Sequence, residues 1–298
     1  MTILVGADTR IIIQGITGYV GRNAAGRMRE TNSPLVAGVT PGRGGQTVAG
    51  APVFNSCAEA IAATGANASL VLVPAPYCLD ACLEGIDAGL GLITVYTDRV
   101  PVADAMRLAA AARAHGVVVL GPNSAGCVSP GLANVSDLHD DFLAPGRIGV
   151  VAKSGAITYE VVELLSAADF GVSTVVCLGG DPLLATVHGD ILERFDSDPD
   201  TDAVVMIGEI GGRAEVAAAE VVRRMAKPVV AHVLGWHAPA GKRMGHAGAL
   251  IGRDEENAPY KTAALRDAGA FIAQRFVDIP STLRRAMAEH RSADGAAS

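Results

Sequence analysis

An α/β architecture in two domains is what this sequence predicts, and three observations carry the prediction. The chain has 298 residues, roughly two ordinary domains long. Half of those residues are hydrophobic, enough for real cores. Short Val/Ile/Leu-rich runs alternate with longer Ala-rich helical stretches, which is the pattern of βαβ units. Apolar runs of this kind, joined by helical crossovers, form parallel sheets buried on both faces.

Taken in order, "RIIIQGITGYVGRNAAGRMRE" reads as a strand, a glycine turn and a helix. Strands follow at "PLVAGV", "SLVLVPA", "LITVYT" and "VVVLG", with helical runs such as "PVADAMRLAAAARAHG" between them. These make a doubly wound domain over residues 1–125. From Pro122 to Gly146 the periodicity is weak and turn residues are frequent, so residues 126–146 read as a linker. A second βα series starts with "RIGVVAKSGAITYEVVELLSAA" and continues through "TVVCLGG", "AVVMIGEIGG" and "PVVAHVLG". It makes a second layered α/β domain over 147–290. The last residues, 291–298, read as a disordered tail.

Composition removes several function classes. A net charge of −7 opposes a nucleic-acid surface. The five cysteines, Cys57, Cys78, Cys82, Cys127 and Cys177, are odd in number and fit neither a disulfide framework nor a zinc spacing. Cys78 and Cys82 share a helix face, the usual place of small core residues. No apolar run reaches ~18 residues, and the N-terminus has no signal-peptide pattern. A cytoplasmic protein without a membrane span or a metal site is expected.

Gly15, Gly18 and Gly21 stand between the first strand and the first helix. Such a turn points helix N–H groups at an anion. A NAD site would add an acidic residue at the end of the second strand. Here that strand ends "AGVTPGRGG", with Arg43 in the loop instead. An arginine there suits a ribose-linked phosphate, either of NADP or of coenzyme A, and a solvated surface arginine is the alternative. "GPNSAG" (Gly121–Gly126) and "AKSGAITYE" offer two further turns, and two helix N-termini aimed at one point make a strong anion site. Glu209 follows an apolar strand, where ligands of parallel sheets bind. His246 lies in "GKRMGHAGAL", among glycines and after Lys242 and Arg243. A lone loop histidine is most often just solvated. Small neighbours, preceding cations and a glutamate able to accept from one ring nitrogen favour a nucleophile toward phosphorus.

Together "QGITG", "GVTPGRGG", "PVFN", "VPAP", "GPN", "SGAITYE", "GGDP", "MIGEIGG" and "GKRMGHAGA" resemble, in order, the α subunit of succinyl-CoA synthetase (succinate–CoA ligase), over residues 3–285. The resemblance implies a Rossmann-like CoA-binding domain followed by a flavodoxin-like ligase domain. It implies that His246 is phosphorylated during turnover and that Glu209 interacts with it. The CoA site falls on Thr17, Gly18, Tyr19, Val20, Arg43, Tyr96, Thr97 and Asp98. Tyr159 becomes a substrate contact. The phosphate falls to the helix N-termini after Asn123 and Ser154, with Ser124 and Gly155 beside them. The implied reaction joins a carboxylic acid to CoA at the expense of ATP or GTP with Mg. The nucleotide would sit mainly on a β subunit with an ATP-grasp domain, in an αβ or α2β2 assembly. No G-x-x-x-x-G-K-[ST] loop occurs in this chain.

The chain departs from the family pattern in places. Arg43 stands for a lysine, Ser124 and Ala125 for Cys and Pro, Lys153 and Ala156 for Arg and Thr, and Trp236 and His237 for small residues. The changes gather around the acid-binding region, so an acid other than succinate is expected. A non-catalytic CoA-binding regulator and an NADP-dependent Rossmann oxidoreductase remain as alternative readings.

Overall fold

Residues 2–31 and 33–297 are described by the computed structural model, and they fold into two units with one parallel-rich sheet in each. In the first unit the apolar runs become β1 (Ile11–Gln14), β2 (Leu35–Val39), β3 (Thr47–Val48), β4 (Ala51–Phe54), β5 (Ala68–Val71), β6 (Leu92–Val95) and β7 (Val118–Leu120). Between them run α1 (Tyr19–Glu30), α2 (Cys57–Thr64), α3 (Cys78–Asp87) and α4 (Val102–His115). The sheet order is β3-β4-β2-β1-β5-β6-β7, parallel throughout except for the β3–β4 pair. Strand order reverses on either side of β1, so a crevice opens beyond the C-terminal ends of β1, β2 and β5. Ile12, Val39, Val71, Ile93 and Leu108 pack in one core with Cys57, Cys78 and Cys82. Burial pushes the Cys57 thiol up to about 12, the behaviour of an inert core thiol.

Residues 126–146, read as a linker, contain an ordered antiparallel hairpin of β8 (Gly126–Ser129) and β9 (Ala133–Ser136), all eight strand residues buried. Pro130 and Gly131 make its turn, closed by the Leu132 N–H donating to Ser129 O at 3.0 Å. The hairpin also removes the expected helix after Asn123. Gly126 sits at φ +98°, and a Cβ there would lie 2.1 Å from the Val135 carbonyl oxygen. The backbone after Asn123 is therefore committed to pairing across the hairpin.

Domain limits shift as well. The first unit spans Leu4–Asp140 together with Cys177–Thr186, and the second holds residues 2–3, 141–176 and 187–297. Hydrogen bonds explain why the "GGDP" segment returns to the first unit. Gly121 N–H donates to Leu178 O at 2.8 Å, Gly180 N–H to Asn123 O at 3.0 Å and Ala185 N–H to Gly121 O at 3.2 Å.

The second unit contains β10 (Pro145–Ala152), β11 (Val172–Cys177), β12 (Ala203–Glu209), β13 (Val229–Leu234) and β14 (Phe271–Ile272). They lie in the order β14-β13-β12-β10-β11. Helices α5 (Gly155–Ala167), α6 (His188–Ser197), α7 (Ala214–Val222), α8 (Ala258–Asp267) and α9 (Ile279–Ala297) connect and cover them. Strand order reverses about β10, which places a crevice beyond the ends of β10 and β12. Residues 291–297, read as a disordered tail, continue α9. Leu283 and Ala286 anchor that helix in the core; Ser298 lies outside the described residues. Among the described residues no helix is long and apolar enough to cross a membrane.

Candidate active site

In the first unit the turn after β1 closes with the Gly18 N–H donating to Gly15 O at 3.0 Å. Gly18 is the N-cap of α1 and brings no side-chain cap, and the first turn of α1 has no acidic residue. Backbone N–H groups at this end could therefore receive an anionic ligand. A cavity of about 460 Å³ opens beside it, lined by Gly15, Thr17, Gly18, Thr40, Val73 and Tyr77 among others. Its position is the crevice that the strand order requires. Thr17 Oγ1 donates to Thr40 Oγ1 at 3.2 Å, joining the β1 and β2 loops. Tyr19 and Val20 are exposed at the start of α1. Arg43 is exposed on a loop braced by the Gly44 N–H donating to Asn55 Oδ1 at 2.9 Å. After β6, Thr97 Oγ1 donates to Val73 O at 2.6 Å, Tyr96 bonds Asp137, and Asp98 pairs with Arg99 at 3.3 Å on the surface. Of the expected CoA residues, Thr17 and Gly18 line the cavity, while Tyr19, Val20, Arg43 and Tyr96–Asp98 do not.

The "GPN" corner serves the same unit. Ser124 is buried; its hydroxyl donates to Cys177 O at 2.6 Å and accepts from the Gly126 N–H at 2.9 Å. Both of its hydrogen-bonding roles are used inside the fold. The Asn123 side chain bonds Asp181, whose carboxyl is pushed up by burial against that bond and those from the Arg99 and Val100 N–H groups.

In the second unit, β10 ends at Ala152, so Lys153 and Ser154 begin the crevice. Ser154 caps α5, its Oγ accepting from the Ile157 N–H at 3.5 Å. No acidic residue lies in the first turn, which begins with Gly155. Tyr159 stands on α5 with its ring edge-on to Phe142, centroids 6.1 Å apart. From the end of β12, Glu209 reaches into the same crevice. The histidine loop folds back on itself: Gly241 N–H donates to Ile251 O at 3.0 Å and Met244 N–H to Ala249 O at 2.9 Å. It crosses the turn after β12 at Gly211, φ +90°, where a Cβ would lie 2.0 Å from the Gly248 oxygen. That close crossing brings His246 Nδ1 to 2.8 Å from Glu209 Oε2. The imidazole is 26% exposed and the carboxylate 11%, so the ring can be reached while its partner is largely desolvated. Lys242 and Arg243 are exposed on the approach to the histidine.

Behind Glu209 lies a buried ionic cluster. Lys153 Nζ stands 3.3 Å from Glu215 Oε1 and 4.0 Å from Glu209 Oε1. Lys261 Nζ, fully buried on α8, donates to Glu215 Oε2 at 2.5 Å and to the carbonyl oxygens of Glu209 and Gly211, each at 2.7 Å. Burial alone would raise Glu215, but Lys153, His188 and Lys261 outweigh it and hold the carboxyl at about 2. Burial pushes His188 down against the opposing pull of Glu215, and its Nε2 bonds Ile207 O at 3.1 Å.

Known protein families match the two halves of the chain separately. A CoA binding domain family matches residues 7–99, and a CoA-ligase family matches residues 151–271. The chain is 46% identical over 287 residues to succinate–CoA ligase [ADP-forming] subunit alpha 1 of Archaeoglobus fulgidus, covering 96% of this chain and 99% of the relative. It belongs to the succinate–CoA ligase α-subunit family. Malate–CoA ligase subunit alpha of Methylorubrum extorquens is 42% identical over 278 residues, 92% of this chain and 94% of that protein. Among solved structures, ATP citrate lyase from Methanothrix soehngenii, in complex with citrate and coenzyme A, superposes with a TM-score of 0.89 at 25% identity. That match covers 98% of this chain and 52% of the other, so the present chain spans about half of the lyase chain.

Membership of the succinate–CoA ligase α-subunit family sets aside the NADP oxidoreductase reading of the first glycine turn. Glu215, His188 and Lys261 belong to no motif that marks them as functional. Lys153 stands out in the sequence only as a departure from the family pattern. Lys261 left one signal: it stands three residues after Ala258 and four before Leu265, on the buried face of α8. Of the family departures, Ser124 and Ala125 are buried in the hairpin corner. Ala156 is exposed in the first turn of α5, and Trp236 and His237 are exposed after β13.

Proposed function

We propose that this chain is the α subunit of an NTP-dependent acid–CoA ligase in which His246 carries the phosphoryl group. The family supports a CoA-ligase subunit that works with a β partner. The observation that carries the finer reading is the 2.8 Å contact of His246 Nδ1 with Glu209 at the crevice of the second sheet. A carboxylate at Nδ1 holds the proton there and leaves the lone pair on Nε2, the nucleophilic tautomer.

Three transfers complete the reaction. His246 Nε2 attacks the γ-phosphorus of ATP or GTP; the P–N bond forms and the nucleoside diphosphate leaves. A carboxylate oxygen of the acid then attacks that phosphorus, the P–N bond breaks, and neutral imidazole returns as acyl phosphate forms. Coenzyme A supplies the thiolate that takes the acyl group, and inorganic phosphate leaves. The N-terminus of α5, behind Ser154 and Gly155, offers about half a unit of positive charge to the phosphoryl group. Tyr159 would face the acid. Thr17, Gly18 and the α1 N-terminus, with Tyr19, Val20 and Tyr96–Asp98 around them, would hold coenzyme A. The nucleotide and its Mg would belong to an ATP-grasp β subunit, in an αβ or α2β2 assembly.

Arg43 is assigned a CoA phosphate. Arg43→Glu should weaken CoA binding, measured calorimetrically, by about 1.5–3 kcal/mol, the worth of a charge-assisted hydrogen bond. Affinity equal to the parent's would remove Arg43 from the site.

The acid is proposed to differ from succinate. Ala156 lacks a hydroxyl in the first turn of α5, and a lost donor to a charged group costs about 1.5–3 kcal/mol. Trp236 adds apolar surface after β13. The relative that acts with malate is as similar to this chain as several succinate enzymes are. One reconstitution tests the whole reading. The purified chain alone should consume neither ATP nor GTP with CoA and any acid present. With a β subunit it should turn over, and a panel of mono- and dicarboxylates should rank another acid above succinate by kcat/KM. Turnover by the isolated chain would refute the need for a partner. Silence of the complex toward every acid would favour a CoA-binding regulator, and succinate ranking first would refute the change of acid.

A further inference from the structure

We propose that the buried Glu215–Lys261 ion pair is a positioning device for Glu209, and through Glu209 for His246. The inference rests on the phosphohistidine reading and adds the residues that set the histidine's partner.

Glu209 is the last residue of β12, where the ladder to β13 ends opposite Leu234. Beyond this point the sheet no longer fixes the backbone, yet the Glu209 side chain must meet a histidine on a separate loop. Both peptide groups of Glu209 are instead held by one ion pair. Its N–H donates to Glu215 Oε1 at 3.2 Å, and its carbonyl accepts from Lys261 Nζ at 2.7 Å. The ring closes through the 2.5 Å contact of Lys261 with Glu215 Oε2. The same ammonium holds the Gly211 carbonyl at 2.7 Å, on the glycine over which the histidine loop crosses. One cation thus ties the carboxylate's backbone to the turn that seats the imidazole.

Stability does not select this pair over an apolar one. Both side chains are fully buried, and a well-packed apolar pair in the same space is often as stable or more so. What an apolar pair cannot do is donate to two carbonyls and accept from the N–H between strand and turn. Glu215 has a second task. Lys153 lies 3.3 Å from it and 4.0 Å from Glu209. Without Glu215, the Lys153 ammonium would be drawn to Glu209 and compete with His246 for the carboxylate.

The test uses the reconstituted complex and the double variant Glu215→Gln with Lys261→Met, which removes both buried charges and leaves neither alone. Label transfer from γ-labelled nucleotide to the chain is followed without acid or CoA. The rate at saturating nucleotide should fall roughly tenfold to a hundredfold, the cost of a misplacement of about 1 Å. Half-saturation by nucleotide should stay within about twofold, since no ground-state contact is lost. Nitrogen-15 spectra of the full chain should show His246 protonated at Nδ1 in the parent and a mixture of tautomers in the variant. Lys261→Met alone, which leaves Glu215 its contact with Lys153, should fall between the two. A labelling rate within about twofold of the parent's, with the same tautomer, overturns the proposal. A parent that takes no acid-labile label is a different result: it refutes the phosphohistidine reading itself.

Discussion

Turnover of the reconstituted complex is expected to fall on the order of 10⁴–10⁶-fold when His246 is replaced by asparagine, as it does when other enzymes lose a covalent nucleophile. Asparagine fills similar space and can still bond Glu209, so the loop should keep its crossing at Gly211. What it lacks is a nitrogen lone pair able to form and release a P–N bond. KM for CoA should be unchanged, because the α1 turn and its cavity lie in the other unit. Glu209→Gln should be milder, slowing turnover about 10²–10⁴-fold. A glutamine oxygen can accept from Nδ1–H, but the amide can also turn and donate, which stabilises the wrong tautomer. Kinetics of both variants with the parent's β subunit decide the matter. A His246→Asn complex within tenfold of the parent would remove the histidine from the reaction.

A large loss of stability is expected from Glu215→Ala, about 3–5 kcal/mol by urea denaturation at pH 7, the cost of breaking a buried ion pair from one side. Lys261 would then be a buried ammonium with carbonyl partners only. Lys261→Met should cost less, since Lys153 still stands 3.3 Å from Glu215. The double variant Glu215→Gln with Lys261→Met should lie nearer the parent than Glu215→Ala does. The pair also sets an acid limit. Glu215 is held at about 2 in the fold against an ordinary value of 4.5. A depressed carboxyl contributes stability that is fully present above the unfolded value and is lost as pH falls through the folded one. Stability should therefore decline between about pH 4.5 and 2, and this part of the decline should vanish in Glu215→Ala. An alanine variant as stable as the parent, or with the same acid profile, would contradict this view of the cluster.

Some of this was legible in the sequence, for local reasons. The β1 turn could be read because an apolar run, glycines at a three-residue spacing and a helical stretch are contiguous. Glu209 and His246 are 37 residues apart, and only the strand-end rule and the family resemblance put them together. The hairpin at Gly126–Ser136 has little sequence signature, because its strands are four residues long and Gly, Ser and Asn dilute their apolar signal. "GPNSAG" reads as a turn leading into a helix, since nothing local reveals that Val135 stands against Gly126. The return of "GGDP" to the first unit depends on backbone hydrogen bonds to Gly121 and Asn123, which no periodicity encodes. Lys261 is hidden for a similar reason. A lysine on an amphipathic helix reads as solvated until the carboxylate that buries it is known, and Glu215 is 46 residues away.

The most direct test of the central claim is the chemistry of the label. The complex is incubated with γ-labelled nucleotide, without acid or CoA, and the chains are separated. Label should sit on this chain, survive alkali, be lost in mild acid, and leave when nucleoside diphosphate is added. It should be absent from His246→Asn. Label that survives acid, or that remains on His246→Asn, would place the phosphoryl group on a serine or threonine and contradict the mechanism.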